Sequence, residues 1–131
     1  MLDAREAAAI VEVERQQSRY VQAVDAGEGD AAAALFTPDG VFEGAVESPL
    51  EGRDAIRDFF TRRELVSPPR RHHVTSMDAQ LDPDGVVRAT TYLQVVGLGG
   101  LTAGYYHDEF EHVDGEWLFR RKHLYVEIFK G

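Results

Sequence analysis

Residues 71–96 read RHHVTSMDAQLDPDGVVRATTYLQVV, two runs of mainly β-forming residues separated by a turn. Within both runs polar and apolar side chains tend to alternate, which is typical of strands with one buried face. The segment Asp82-Pro83-Asp84-Gly85 supplies a proline with fixed φ and a glycine that tolerates positive φ. We therefore predict two long antiparallel strands, over 71–81 and 86–96, joined as a hairpin.

Two further segments continue the same pattern towards the C-terminus. Residues 101–113 follow a glycine-rich connection at 97–100, and residues 116–129 follow Asp114-Gly115, a strong hairpin signal. We predict that all four segments form one meander of antiparallel strands.

The first half of the chain has a helical period instead. The predicted elements are helices over 4–24, 31–36 and 53–64, a turn over 37–40 and a short strand over 41–45, with Asp3 and Asp30 as helix caps. On the first helix, Ala7, Ile10, Val11, Val21 and Val24 are predicted to face the core, and Glu12, Arg15, Gln16 and Arg19 the other side. Helices segregated from an antiparallel sheet indicate an α+β fold. We expect three helices packed on a strongly curved antiparallel sheet, a conical barrel with an apolar interior pocket.

Length and composition indicate one domain over residues 1–131, with 44% hydrophobic and 28% charged residues. The formal net charge of −9 argues against nucleic acid and anionic membranes as partners, because phosphates would be repelled. No apolar run approaches the roughly 20 residues of a membrane span, and the N-terminus lacks the apolar core of a signal peptide. With no cysteine, disulfides and thiolate metal sites are excluded. We expect a cytoplasmic protein.

Tyr20, Asp25 and His72 are the candidate catalytic residues. A phenol, a carboxylate and an imidazole are the groups that a pocket needs to move a proton on a small organic molecule. Alternation places His72, Val74 and Ser76 on one strand face and His73, Thr75 and Met77 on the other, so only one of the two histidines points inward. Each candidate has a structural alternative: a surface histidine, a helix-capping aspartate and a core tyrosine.

Six segments in this order resemble the nuclear transport factor 2-like superfamily, in its SnoaL-like branch. They begin at Tyr20-x4-Asp25, Leu35-Phe36-Thr37-Pro38-Asp39-Gly40, Glu51-Gly52-Arg53, Arg71-His72-His73, Gly104-Tyr105-Tyr106-His107-Asp108 and Asp114-Gly115-Glu116-Trp117. The resemblance implies a conical α+β barrel, a homodimer packed through the outer sheet face and a small cyclic organic ligand. The chain is most similar to the scytalone dehydratase and bile acid dehydratase group, in which a Tyr and an Asp near the end of the first helix face a His at the start of a long strand. Those roles fall on Tyr20, Asp25 and His72, so we expect Asp25 and His72 within hydrogen-bond reach of each other.

The chain departs from that group at two positions. The stretch Leu93-Gln94-Val95-Val96 lacks the second active-site histidine of scytalone dehydratase, and Glu127 falls near the arginine of bile acid dehydratases. The resemblance therefore implies the Tyr, Asp and His of the site, and it does not imply the substrate of either group.

Other residues are predicted to line the pocket and bind substrate: Phe36, Phe59, Tyr92, Tyr106, Asp108 and Phe110. Asp108 would be a buried carboxylate, which needs a partner or a raised pKa; its alternative is pairing to a helix end. We predict no metal, because His72 and His73 point to opposite faces, and no cofactor, because no phosphate-binding glycine motif opens a helix.

The leading functional hypothesis is a cofactor-independent lyase or isomerase of the dehydratase or cyclase type, acting on a cyclic apolar molecule with His72 as general base. One alternative is a non-catalytic ligand-binding or association domain. Another is a scaffold similar to a dioxygenase β subunit.

Overall fold

The computed structural model describes every residue from Met1 to Gly131. Its helices are α1 (Ala4–Asp25), α2 (Gly29–Ala34) and α3 (Arg53–Phe60), followed by a 3-10 turn at Arg63–Leu65. Its strands are β1 (Phe36–Glu43), β2 (Leu50–Glu51), β3 (Arg70–Leu81), β4 (Val87–Gly97), β5 (Gly100–Val113) and β6 (Glu116–Lys130). The ends of all four long strands lie within one residue of the predicted bounds. None of the helices combines the length and the apolar composition that crossing a membrane requires.

The six strands form a single sheet in the order β2-β1-β6-β5-β4-β3. The predicted α+β cone is confirmed, with two refinements. The sheet is mixed, because β1 pairs with β6 in parallel while every other neighbouring pair is antiparallel. It is also open, since β2 and β3 remain as free edges.

The early segments differ most from the prediction. The turn predicted over 37–40 lies inside β1, which begins at Phe36, and residues 50–51 form a strand where a loop was expected. The second helix starts at Gly29, so Asp30 lies in its first turn and Glu28 takes the cap position. Pairing with β6 explains β1: Phe36 and Phe42 are both buried, and long-range contacts override the local turn signal.

One side of α1 packs against the sheet much as predicted, with Val21 and Val24 buried, but the buried face departs from the prediction at Val11 and Gln16. Val11 is 64% exposed, whereas Gln16 and Gln17 are buried. Both glutamines are satisfied by partners inside the protein: Gln16 Nε2 donates to the Trp117 carbonyl oxygen at 2.7 Å, and Gln17 Nε2 to Asp108 Oδ2 at 2.7 Å. Hydrogen bonding removes most of the penalty of burying a polar side chain, so hydrophobicity alone could not predict that these glutamines are buried.

Two β-bulges change which side chains reach the interior. In β3 the register shifts between Thr75 and Asp78, and Ser76 has a positive φ of 57°. Ser76 is therefore exposed and Met77 packs against the core, the reverse of the predicted alternation. In β6 the register shifts after Phe119, so that Lys122 turns inward.

Gly44 follows β1 at a point where the backbone approaches β6. It has φ +94°, and a methyl group on its Cα would overlap the Leu124 carbonyl oxygen. Gly85 is the matched control, because its φ is +84° but nothing lies within 4 Å of such a methyl group. We expect Gly85→Ala to cost about 1 kcal/mol of unfolding free energy and Gly44→Ala about 1–3 kcal/mol more, measured by urea denaturation. Equal losses would contradict the close approach.

Candidate active site

The C-terminal end of α1 and the start of β3 bring Asp25 and His72 together. The two residues are 47 positions apart, yet His72 Nδ1 lies 2.6 Å from Asp25 Oδ1 and the His72 backbone N–H donates to Asp25 Oδ2 at 3.0 Å. The predicted contact between these side chains is therefore present. Both carboxylate oxygens hold the same residue, which fixes the position of the imidazole on the inner side of β3.

The Asp25 carboxylate also sets the proton arrangement of the ring. A carboxylate only accepts hydrogen bonds, so Nδ1 carries the proton in the neutral imidazole and donates it to Asp25. The second nitrogen, Nε2, accepts or donates no hydrogen bond within the protein. Its lone pair is free to take a proton from another molecule.

The pair lies close to the surface but is largely withdrawn from solvent. The His72 and Asp25 side chains are 14% and 10% exposed. Burial lowers the pKa of His72 below its ordinary value of 6.5, and the nearby Asp25 carboxylate raises it again in part, while Arg70 and Lys122 lower it. The imidazole is therefore mainly neutral at pH 7, which is the form that can act as a base.

Tyr20 and Tyr106 lie in the interior near this pair. Each tyrosine is 1% exposed, and their rings meet edge to face with centroids 6.1 Å apart. Burial raises the pKa of both hydroxyls, and the Asp108 and Asp25 carboxylates add to the increase. Both phenols therefore keep their protons and remain hydrogen-bond donors at neutral pH.

A buried polar cluster lies beneath the two tyrosines. Asp108 is 2% exposed and its Oδ1 is 3.0 Å from Nζ of Lys122, although outside hydrogen-bonding geometry. Gln17 bridges the pair, since its Nε2 donates to Asp108 and its Oε1 accepts from Lys122 at 2.7 Å. The partner of Asp108 is thus a lysine on the neighbouring strand, and not a helix end.

The other predicted pocket residues divide between the two sides of the sheet. Phe36, Phe59 and Phe110 belong to the core, together with Tyr106. Tyr92 is 58% exposed on the outer face, because β4 alternates and its neighbours Thr91 and Leu93 point inward. The prediction that Tyr92 lines an interior pocket is wrong.

The outer face carries two broad depressions, of about 560 and 600 Å³. His73 lines the larger one with Tyr92, so His73 faces away from His72. Neither depression includes Tyr20, Asp25 or His72. The interior beside Tyr20 is instead filled by aromatic rings, with Phe60 5.8 Å and Phe119 5.5 Å from it between centroids. The predicted homodimer through the outer face stays a prediction.

No group of three or more His, Asp or Glu side chains is arranged as a set of metal ligands. The chemistry that the described residues offer is that of a fixed imidazole base, two neutral phenol donors and a buried ion pair. Such a set can remove a proton from carbon and stabilise negative charge on oxygen.

Lys122 and Gln17 were not predicted as parts of this site. Lys122 lies opposite Asp108 in the sheet register. The one signal in the sequence is that this lysine follows the apolar pair Leu118-Phe119 on the same predicted strand. Counted from the pair Val113–Glu116 at the turn, a regular hairpin would place Arg121 opposite Asp108, and the bulge moves Lys122 there.

The model of the SnoaL-like domain family matches residues 5–123. A Catenulispora acidiphila protein, solved in complex with S-DNPA, is 31% identical, with a TM-score of 0.75 over 92% of this chain and 95% of that one. A candidate scytalone dehydratase from Novosphingobium aromaticivorans is 20% identical, with a TM-score of 0.84 over 95% and 87%. The hexachlorocyclohexane dehydrochlorinase LinA type 2 is 17% identical, with a TM-score of 0.83 over 95% and 88%. The last two show the fold alone. No curated protein sequence matches the chain.

Proposed function

The protein belongs to the SnoaL-like domain family, and we propose that it is a cofactor-independent lyase or isomerase that removes a proton from carbon in a small cyclic, apolar molecule. The observation that carries the proposal is the 2.6 Å contact between His72 Nδ1 and Asp25, which leaves Nε2 unpaired. Two neighbours on the same fold are named for eliminations, of water or of hydrogen chloride. A base that takes a proton from carbon starts such a reaction.

In the proposed mechanism, His72 Nε2 takes a proton from the carbon next to a carbonyl group. The C–H electron pair moves into the adjacent bond and places negative charge on the carbonyl oxygen. The Tyr20 hydroxyl donates a hydrogen bond to that oxygen, with Tyr106 beside it. Asp25 stabilises the imidazolium that forms, and so acts as a positioning residue for His72. Return of the proton to a different atom gives isomerisation, and loss of a β-hydroxyl as water gives dehydration.

The test of this proposal is α-proton exchange in D₂O. A panel of cyclic ketones, such as cyclohexanone, 2-tetralone and decalones, is incubated with the protein, and deuterium at the α-carbon is followed by proton NMR. This readout detects proton removal before any later step and needs no knowledge of the natural substrate. Catalysed exchange that is lost in His72→Ala supports the proposal. Exchange at the buffer rate with ligands that bind saturably would contradict it.

That contrary result would favour a non-catalytic ligand-binding domain. The specific observation on its side is the tight packing around Tyr20, whose ring contacts Phe36, Phe42 and Phe60. Under this alternative, Tyr20→Phe changes ligand affinity or stability and no reaction is affected.

The pH profile should depend on Asp25. The carboxylate raises the pKa of His72 against the stronger lowering by burial, so Asp25→Asn should lower that pKa further. We expect the acid limb of kcat/KM, already below pH 6.5 in the wild type, to move to lower pH. Turnover itself should fall about 10²-fold, because the imidazolium loses its counter-charge.

The matched control is Asp54→Asn, which removes a carboxylate that is 90% exposed on α3. Its acid limb and turnover should equal those of the wild type. An unshifted acid limb in Asp25→Asn would show that this carboxylate does not act on the catalytic imidazole.

A further inference from the structure

Lys122 is a fully buried cation that the proposed mechanism does not use. Its side chain is 0% exposed, as is that of Asp108, whose carboxylate lies 3.0 Å away. The ammonium also donates to Gln17 Oε1 at 2.7 Å, and Gln17 in turn donates to Asp108 and to Thr91 Oγ1. Burying an ammonium is costly unless it is paired, so this position is held by contacts from α1, β4 and β5.

The remaining side of the ammonium is covered by aromatic faces. Nζ lies 3.5 Å from the ring centroid of Tyr106, 4.5 Å from that of Tyr20 and 4.4 Å from that of Phe119. A cation at these distances is attracted to the negative face of each ring. Two of the three rings are the phenols of the candidate site.

We propose that Lys122 is a positioning residue of the candidate site, acting through the rings of Tyr20 and Tyr106. The inference rests on the proposed function, because it assigns a role to these two hydroxyls. The ammonium fixes the rings against one another, and its charge draws electron density from them. A phenol depleted in this way donates a stronger hydrogen bond to a developing oxyanion.

The charge of Lys122 also compensates that of Asp108. The groups facing the ammonium are Asp108 and Tyr106 from β5, Tyr20 and the neutral Gln17 from α1, and Phe119 from β6. His72 on β3 senses its charge from further away. Burial lowers the pKa of Lys122 to about 8. Loss of that proton leaves the Asp108 carboxylate uncompensated beside both phenols, which raises their pKa and weakens them as donors.

The chain suits a direct measurement, because Lys122 and Lys130 are its only lysines. Protein labelled with ¹³C at lysine Cε and tyrosine Cζ is titrated by NMR between pH 6 and 10 without any ligand, with the exposed Lys130 as the internal reference. We expect the Tyr20 and Tyr106 Cζ signals to shift with the midpoint of the Lys122 Cε signal. The exposed Tyr92 should show no such step. In Lys122→Met/Asp108→Asn, which removes both charges together, the step should disappear.

The proposal would be overturned if the Tyr20 and Tyr106 Cζ signals did not shift at the midpoint of the Lys122 Cε signal. It would also be overturned if the same step persisted in the double variant. The NMR titration needs no turnover. If the wild-type protein shows no α-proton exchange, the proposed function is refuted, but the titration still tests the role of Lys122. Where exchange occurs, the double variant should lower kcat about tenfold or more with KM little changed, and lose the alkaline limb near pH 8. A double variant whose kcat and alkaline limb equal those of the wild type would also overturn the proposal.

Discussion

Replacing His72 by alanine should lower turnover by roughly 10²–10⁴-fold, the usual contribution of a positioned general base. The substitution removes the imidazole, whose Nε2 lone pair is free and whose neutral form is favoured because burial lowers its pKa. It should leave the fold intact, since β3 keeps its backbone pairing with β4 and the backbone N–H of residue 72 can still donate to Asp25. The measurement is α-proton exchange on the ketone panel, with circular dichroism as the check on folding.

His73→Ala is the matched control for this prediction. His73 is the next residue on the same strand, is exposed and faces the outer depression. Its replacement should leave the exchange rate within about twofold of the wild type, in line with a surface change away from the site. Equal losses in both variants, or a fully active His72→Ala protein, would show that the imidazole of His72 is not the base.

That His72 and His73 point to opposite faces was predictable, because it depends on a short stretch of regular strand; the choice of His72 as the inward one came from the family resemblance. From Arg70 to Thr75 the alternation is unbroken, so one face of β3 is inside and the other outside. The contact with Asp25 could not be derived from this alternation, since it depends on how α1 crosses the sheet. It came from the resemblance to a family in which these positions meet.

The long strands were also predictable, because their period and their turns are local properties. The parallel pairing of β1 with β6 was not, because it joins residues about 80 positions apart, such as Phe42 and Lys122. Local signals in that region even favoured a turn at Pro38-Asp39-Gly40, and the burial of Phe36 and Phe42 in the core outweighed them. The local pattern of residues carries no information about which distant strand a segment pairs with.

The buried cluster was hidden for a different physical reason. Alternation along a strand is reliable only until a bulge inserts one residue, and after that every side chain changes face. In β6 this exchange brings Lys122 inside and places Arg121 outside, paired with Glu43. Since lysine side chains are rarely buried, the sequence alone would have placed Lys122 in solvent.

The cost of removing Lys122 alone should be large, and it should depend on pH. Lys122→Met leaves the carboxylate of Asp108 buried without its counter-charge, and breaking a buried ion pair in this way costs about 3–5 kcal/mol of unfolding free energy. Burial already raises the pKa of Asp108 against the lowering by Lys122. Loss of the lysine raises that pKa further, so the folded state takes up a proton more readily than the unfolded chain.

The sign of the pH dependence follows from that proton. Between the ordinary pKa of 3.8 and the raised folded value, the folded variant binds the proton and the unfolded chain does not, so the destabilisation shrinks as the pH falls. Urea denaturation followed by Trp117 fluorescence at pH 7.5 and pH 5 measures this against the wild type at the same pH. Lys122→Met/Asp108→Asn should recover most of the lost stability at pH 7.5, because no charge is left buried. A single variant as stable as the wild type, or a defect that grows towards pH 5, would mean that Asp108 does not carry its charge in the folded protein.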